Sequence, residues 1–290
     1  MILLRKKAAA PGIINVVADV LSSQVARRVD AGRIVLNVRE IGTGPLMLFF
    51  HGITSNSAVF APLMAQLSAR FTTVAVDQRG HGLSDKPESG YEANDYADDI
   101  ASLIRTLGRG PAILVGHSLG ARNSVTAAAR NPELVRSVIA IDFTPYIETE
   151  ALDALESRVN AGDRIFRDVE AVQEYLAGRY PNIPADAIRI RAESGYRQVE
   201  GGLRPLASPS AMAQTAKGLR ADLTQAYRDV AKPVLIVRGE ESKLVSAAAL
   251  AKTSRLRPDL AVVVVPGADH YVNEVCPEVT LKAITNFIDA

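Results

Sequence analysis

The chain alternates short, almost uninterrupted apolar runs with longer stretches in which apolar positions recur every three or four residues. Residues 46–50, 71–76, 112–115, 137–141, 234–237 and 261–265 are of the first kind. Runs of that length and continuity predict strands buried on both faces. Residues 58–67, 94–107, 119–130, 247–255 and 275–288 are of the second kind and predict helices. Strand and helix in alternation predict an α/β fold with a mostly parallel central sheet covered by helices on both faces. Ahead of it, residues 24–29 and 34–38, joined through Asp30-Ala31-Gly32, predict an antiparallel hairpin.

The alternation stops between residues 145 and 230. No strong strand is predicted there, only short helices rich in arginine. The segment is expected to form a helical cap inserted into an α/β core built from residues 24–144 and 231–290. Residues 1–23 are expected to be an N-terminal appendage. Their basic start, Arg5-Lys6-Lys7, is followed by Pro11-Gly12, Asn15 and Asp19, which break any apolar stretch of the kind a secretory signal needs.

Composition narrows the function classes. The chain is 48% hydrophobic and 22% charged, which suits a globular protein with a sizeable core. A net charge of +1 gives no reason to expect nucleic acid or a membrane surface as partner, and no run approaches the ~18 apolar residues of a membrane span. The single cysteine, Cys276, excludes an internal disulfide and is expected to be a small buried group before Pro277. The cytoplasm is the expected compartment.

The most informative stretch is Gly116-His117-Ser118-Leu119-Gly120, set between a predicted strand and a predicted helix. A G-x-S-x-G at such a turn is a nucleophile elbow: small residues allow a turn tight enough to push the serine forward. The helix that starts there aims its free N–H groups at the same point, where negative charge would develop in acyl transfer. Serine needs a base, and the chain has four histidines. His117 is too close along the chain to serve its neighbour. His51 ends an early strand and His81 lies in the Asp77-Gln78-Arg79-Gly80-His81-Gly82-Leu83-Ser84 loop. His270 follows the last strand in Gly267-Ala268-Asp269-His270. Because parallel strands end on one edge of the sheet, His270 can face Ser118.

These pieces, together with His51-Gly52, resemble the α/β-hydrolase superfamily from about residue 30 to the C-terminus. The resemblance implies an α/β-hydrolase fold and a Ser-His-acid triad. It also implies an oxyanion hole made by the backbone N–H groups of Ile53 and Leu119, with no cofactor and no metal. His51 is expected to shape the oxyanion loop, since nothing stands at metal-ligand spacing from it. The acid departs from the common pattern. Many members carry it in the loop that here reads Arg238-Gly239-Glu240-Glu241-Ser242-Lys243-Leu244-Val245, with Ser242 at the usual aspartate position. The superfamily's other location follows the preceding strand, where Asp142 stands. Asp142 is therefore the expected acid, Glu240 and Glu241 are the fallback, and a simple loop cap is the bland reading of Asp142.

The cap is expected to choose the substrate. Val172, Tyr175, Leu176, Arg179 and Tyr180 share one helical face, and Ala151, Leu155, Arg158 and Val159 show the same spacing. Arg158 and Arg179 would thus continue apolar stripes. Such an arginine either meets an anion or snorkels to water or a salt bridge, and the spacing leaves both open. Arg164, Arg167, Arg189, Arg191 and Arg197 lack that placement and are expected at the surface. Two inward arginines, with Tyr180, point to a small dicarboxylate as the partner. A homodimer is left open. The rival readings are enol-lactone, ester or carbon–carbon bond hydrolysis of another acidic metabolite, or a ligand receptor on the same fold. Dehalogenation is disfavoured, since it wants an aspartate where Ser118 stands.

Overall fold

The computed structural model describes residues 24–290, so the expected appendage lies outside the described residues. Eight strands form one sheet: β1 (Val25–Asp30), β2 (Val35–Ile41), β3 (Leu46–Phe50), β4 (Thr72–Val76), β5 (Ala112–His117), β6 (Val135–Ile141), and, beyond the cap, β9 (Val234–Gly239) and β10 (Ala261–Val265). Their order is β1-β2-β4-β3-β5-β6-β9-β10. The β1–β2 and β2–β4 pairs are antiparallel and every later pair is parallel.

Each parallel strand feeds two cores, because successive side chains point to opposite faces. Leu46, Leu48, Phe50, Leu114, Val138 and Ile236 face one side. There they meet α2 (Ala93–Leu107) and α3 (Leu119–Arg130). Met47, Phe49, Ile113, Val115, Ile139 and Val237 face the other. That side is closed by α1 (Ala61–Leu67) and by the C-terminal α10 (Val272–Val275) and α11 (Pro277–Asp289). The apolar runs of the inner strands are continuous for this reason: β3, β4, β5 and β9 are buried along their whole length, whereas the edge strand β10 is only partly covered.

The predicted helix over 275–288 is in fact two, broken at Cys276. Pro277 has no N–H to bond back into a preceding turn, so it opens a new helix instead. Cys276 is half-buried, not enclosed as expected. The helix predicted from residue 58 opens as a 3-10 turn, Ser57–Phe60, whose Ala58 N–H is capped by the Asn56 side chain at 2.9 Å.

The cap holds α4 (Thr149–Asn160), α5 (Val169–Arg179), α6 (Ala185–Ser194), α7 (Pro209–Gly218) and α8 (Thr224–Asp229). It also contains an antiparallel hairpin, β7 (Tyr196–Val199) with β8 (Gly202–Pro205), which corrects the expectation of helices alone. The turn between them uses Gly201 and Gly202 at φ +84° and +136°. A Cβ on Gly202 would lie 2.0 Å from the Phe166 carbonyl oxygen. After the cap, α9 (Ala247–Leu256) links β9 to β10. Phe166, Val172, Leu176, Ile183, Ile188 and Ala192 form the cap's own core, and Tyr271 and Val275 from the α/β core pack against it. Among the described residues, no helix is long and apolar enough to cross a membrane.

Candidate active site

The elbow follows from local sterics. Ser118 sits at φ +53°, ψ −113°, between the end of β5 and the start of α3. A Cβ on Gly116 would lie 2.3 Å from the Ala121 nitrogen, and one on Gly120 only 1.9 Å from the Phe50 carbonyl oxygen. No side chain fits at either position, so the turn requires both glycines. Gly120→Ala should destabilise the fold by at least about 3 kcal/mol, because backbone must move to admit the methyl group. Denaturant midpoints check this, and an unchanged midpoint would mean that the turn has slack.

Asp142 directly follows β6 at φ +48° and is fully buried. Its Oδ1 accepts the Gly239 N–H at 3.0 Å, and its Oδ2 accepts the Ser242 hydroxyl at 2.5 Å. The Nδ1 of His270 lies 2.7 Å from Oδ2. Neither Glu240 nor Glu241 is bonded to His270. Glu240 accepts the Gly267 N–H at 3.0 Å, and Glu241 lines the cavity. The structure thus brings Asp142 and His270 into contact and places Ser118 and His270 on the wall of one cavity.

The other histidines are structural supports. His117 has its Nε2 2.9 Å from the His270 carbonyl oxygen, so it donates there, with the two rings 4.7 Å apart. Burial, helped by the nearby His270, holds it well below the usual histidine range and therefore neutral. His51 donates from Nδ1 to the Gly52 carbonyl at 2.7 Å and accepts the Gln78 N–H on Nε2 at 3.1 Å. Burial pushes its pKa down to about 4. The Gln78 amide in turn bonds the His51 carbonyl and Asn123 of α3, both at 2.7 Å. That chain pins the loop carrying Ile53 to the elbow helix. Neither the Ile53 nor the Leu119 N–H is spent on an acceptor among the described residues. His81 is buried against the His51 ring at 4.9 Å and donates to the Arg79 carbonyl.

The cavity over Ser118 has a volume of about 720 Å³, room enough for a small metabolite. Its far wall comes from the cap: Arg158, Arg179, Tyr180 and Arg191. Arg179 is half-buried, donates to the Tyr175 hydroxyl at 2.5 Å and is in no ion pair among the described residues. Its Nε is buried with no partner. Arg158 also lacks a carboxylate partner there, but it is largely exposed on the cavity rim and so is not enclosed as its stripe predicted. Tyr180 is buried between Arg179 and Arg191, whose guanidinium carbons lie 5.5 and 4.9 Å from its ring centre. Burial opposes ionisation of the Tyr180 phenol, yet the two guanidiniums outweigh it and hold the phenol below its usual range.

Arg191 corrects the sequence reading. Expected at the surface, it is 8% exposed, lines the cavity and forms a two-pronged ion pair with Glu274 at 2.7 and 2.5 Å. The signal was present: Ile188, Arg191 and Ala192 fall at i, i+3 and i+4, the same spacing that singled out Arg158 and Arg179. Arg164, Arg167 and Arg197 are exposed, as expected, and Arg189 is half-buried.

A family model described as the alpha/beta hydrolase fold matches residues 45–277, from the start of the parallel sheet into the last helix. The chain belongs to the α/β-hydrolase family. A curated relative from Mesorhizobium japonicum, named 2-(acetamidomethylene)succinate hydrolase, is 82% identical over 278 residues, covering 96% of this chain and all of the relative. A crystal structure of an E-2-(acetamidomethylene)succinate hydrolase is 84% identical and covers 92% of this chain and all of that one, with a TM-score of 0.91. An enol-lactonase from Burkholderia xenovorans shares the fold at a TM-score of 0.74 but only 19% identity, over 91% of this chain and all of that one. Within the α/β hydrolases, core machinery is shared and the cap diverges.

Proposed function

We propose that this α/β hydrolase cleaves the acetamide bond of (E)-2-(acetamidomethylene)succinate, giving acetate, ammonia, carbon dioxide and succinic semialdehyde. This is a step of vitamin B6 breakdown, carried out in the cytoplasm. One observation carries the substrate class: two arginines without a carboxylate partner among the described residues, Arg158 and Arg179, stand on the wall of the cavity that holds Ser118. The displaced acid, the Arg238–Val245 loop and the arginine-bearing cap resemble those of the hydrolases named for this substrate, and the 82% identity supports the same reading.

In this reading Ser118 attacks the acetyl carbonyl while His270 takes its proton and Asp142 fixes the His270 tautomer. The Ile53 and Leu119 N–H groups hold the oxyanion, a contribution of about 3 kcal/mol per donor at such sites. The departing nitrogen is conjugated through the alkene to a carboxylate, so it leaves more easily than a simple amine. His270 returns the proton to it. Water, activated by His270, then releases acetate from Ser118. The freed enamine tautomerises to an imine, and its hydrolysis gives ammonia and an aldehyde with a carboxyl group β to it. Loss of carbon dioxide from that carboxyl leaves succinic semialdehyde. Arg158, Arg179 and the Tyr180 hydroxyl hold the two carboxylates.

The test is to incubate the purified protein with this substrate and measure acetate and succinic semialdehyde. Release of both in equal amounts is the expected result. Release of neither, from a protein that still hydrolyses p-nitrophenyl acetate, would overturn the substrate and turn the search to other small acids.

Arg179→Ala should lower kcat/KM for the dicarboxylate about 100-fold, the loss of one charge-assisted contact. Most of it should appear in KM. Hydrolysis of p-nitrophenyl acetate, which has no carboxylate to hold, should stay within about twofold of the parent. An equal loss on both substrates would show that Arg179 supports the site without reading the carboxylate.

A further inference from the structure

We propose that Ser242 is a positioning residue of the His270–Asp142 pair, setting both the direction and the acceptor strength of the Asp142 carboxylate. The inference rests on the role proposed above for Asp142. Ser242 Oγ and His270 Nδ1 both lie on Asp142 Oδ2, at 2.5 and 2.7 Å. Ser242 is itself buried and has one proton to give. Its oxygen already accepts the Val245 and Leu244 N–H groups at 3.1 and 3.3 Å, so the proton goes to Asp142. The turn that presents it is clamped: buried Arg238 donates from Nε to the Val245 carbonyl at 2.6 Å. With Gly239 N–H on Oδ1, the carboxylate is held on both oxygens before His270 reaches it.

Two consequences follow from chemistry. A carboxylate oxygen that already accepts one short hydrogen bond is a weaker acceptor for a second, so Ser242 tempers the pull of Asp142 on the His270 proton. A neutral residue is also what this position demands. A second carboxylate at hydrogen-bond distance from Asp142 would force the pair to share a proton and so lose the charge that steadies an imidazolium. Other charged or titratable groups face the pair from several sides. The His117 ring of β5 lies tilted against the His270 ring at 4.7 Å, and the Tyr271 ring meets it edge-on at 5.1 Å. Asp269 precedes it, and Glu241 and Lys243 flank Ser242 on the cavity wall. The cap adds Arg158, Arg179, Tyr180 and Arg191 across the cavity. None of these is hydrogen-bonded to the Asp142 carboxylate, so among the described residues Ser242 is the side chain that acts on it directly besides His270.

The experiment compares Ser242→Ala, Ser242→Thr and Asp142→Asn with the parent on p-nitrophenyl acetate, a substrate independent of the dicarboxylate assignment. Active fraction is counted from the acyl burst, and kcat/KM is followed against pH. Ser242→Ala should retain a burst, lose about tenfold in kcat per active site with little change in KM, and show its acid limb moved up by about half a pH unit. The sign is fixed by the loss of a donor: the freed carboxylate holds the His270 proton more tightly, so the neutral base appears at higher pH. Ser242→Thr, which keeps the hydroxyl, should return the limb towards the parent's. A Ser242→Ala enzyme whose rate per active site and acid limb both match the parent overturns the proposal. So does a loss accounted for wholly by fewer active sites. Asp142→Asn separates the two readings. If it turns over like the parent, the acid itself is wrongly assigned. If it is inactive beside a parent-like Ser242→Ala, only the role of Ser242 falls.

Discussion

Ser118→Ala should lower turnover by about 10,000- to 1,000,000-fold, the range found when a triad nucleophile is removed. The loss comes from chemistry, not folding. Position 118 keeps its φ of +53° in the variant, and the turn is set by the close approach of Gly116 and Gly120 to neighbouring backbone, not by the serine oxygen. The variant should therefore match the parent in thermal midpoint to within a few degrees. It should also show no acyl burst with p-nitrophenyl acetate. A residual rate above background is expected, because the Ile53 and Leu119 N–H groups and the arginines proposed to bind the substrate remain. Activity above about one per cent of the parent would remove Ser118 as the nucleophile.

Asp142→Asn should cost about 10,000-fold in kcat while leaving the outline of the site intact. His270 now gives its Nδ1 proton to Asp142 Oδ2, which leaves Nε2 free to act on Ser118. An asparagine amide in the same place can turn its NH₂ toward His270 and favour the opposite tautomer, with the proton on the wrong nitrogen. It also carries no charge to steady the imidazolium that forms as Ser118 attacks. Because the buried Gly239 N–H donates to the Oδ1 position, the amide oxygen is held there, and the NH₂ then takes the Oδ2 position, which faces both His270 and the Ser242 hydroxyl. The loss should be partly restored above the ordinary pH range, where hydroxide can replace the missing base. A variant with parent-like kcat would remove Asp142 from the reaction.

Much of the architecture is legible in the chain because it is governed by periodicity. Continuous apolar runs such as 46–50 mark the strands, and the turn at Gly116–Gly120 is dictated by backbone contacts that only glycine permits. The pairing of His270 with Asp142 could be anticipated because both follow the C-terminal ends of parallel strands, where the sheet gathers them. What escaped detection depended on contacts distant in sequence. The spacing of Ile188, Arg191 and Ala192 marks Arg191 as inward, but the group that neutralises it there, Glu274, stands 83 positions away. The β7–β8 hairpin is four residues a side, too short to show alternation, and only Gly201-Gly202 marked its turn. Ser242 seemed a lost acid. Its value lies in a neighbour 100 positions away, which no local pattern can reveal.

The buried pair of Arg191 and Glu274 has a consequence for how new specificities could arise on this scaffold. Arg191 belongs to the cap segment on the far wall of the cavity, whereas Glu274 stands four residues beyond His270. The Tyr180 and Tyr271 rings meet at 4.9 Å, and Asn182 bonds Asp269 at 2.9 Å, so three ties bind the cap to the strip 269–274. The cap and the loop that carries His270 are therefore joined along one seam. A cap transplanted from a relative would arrive without its half of that seam and strand Glu274 as a lone buried charge. Such a graft would have to bring residues 269–274 along with it, so the heritable unit of specificity here is the cap together with the loop that carries the histidine.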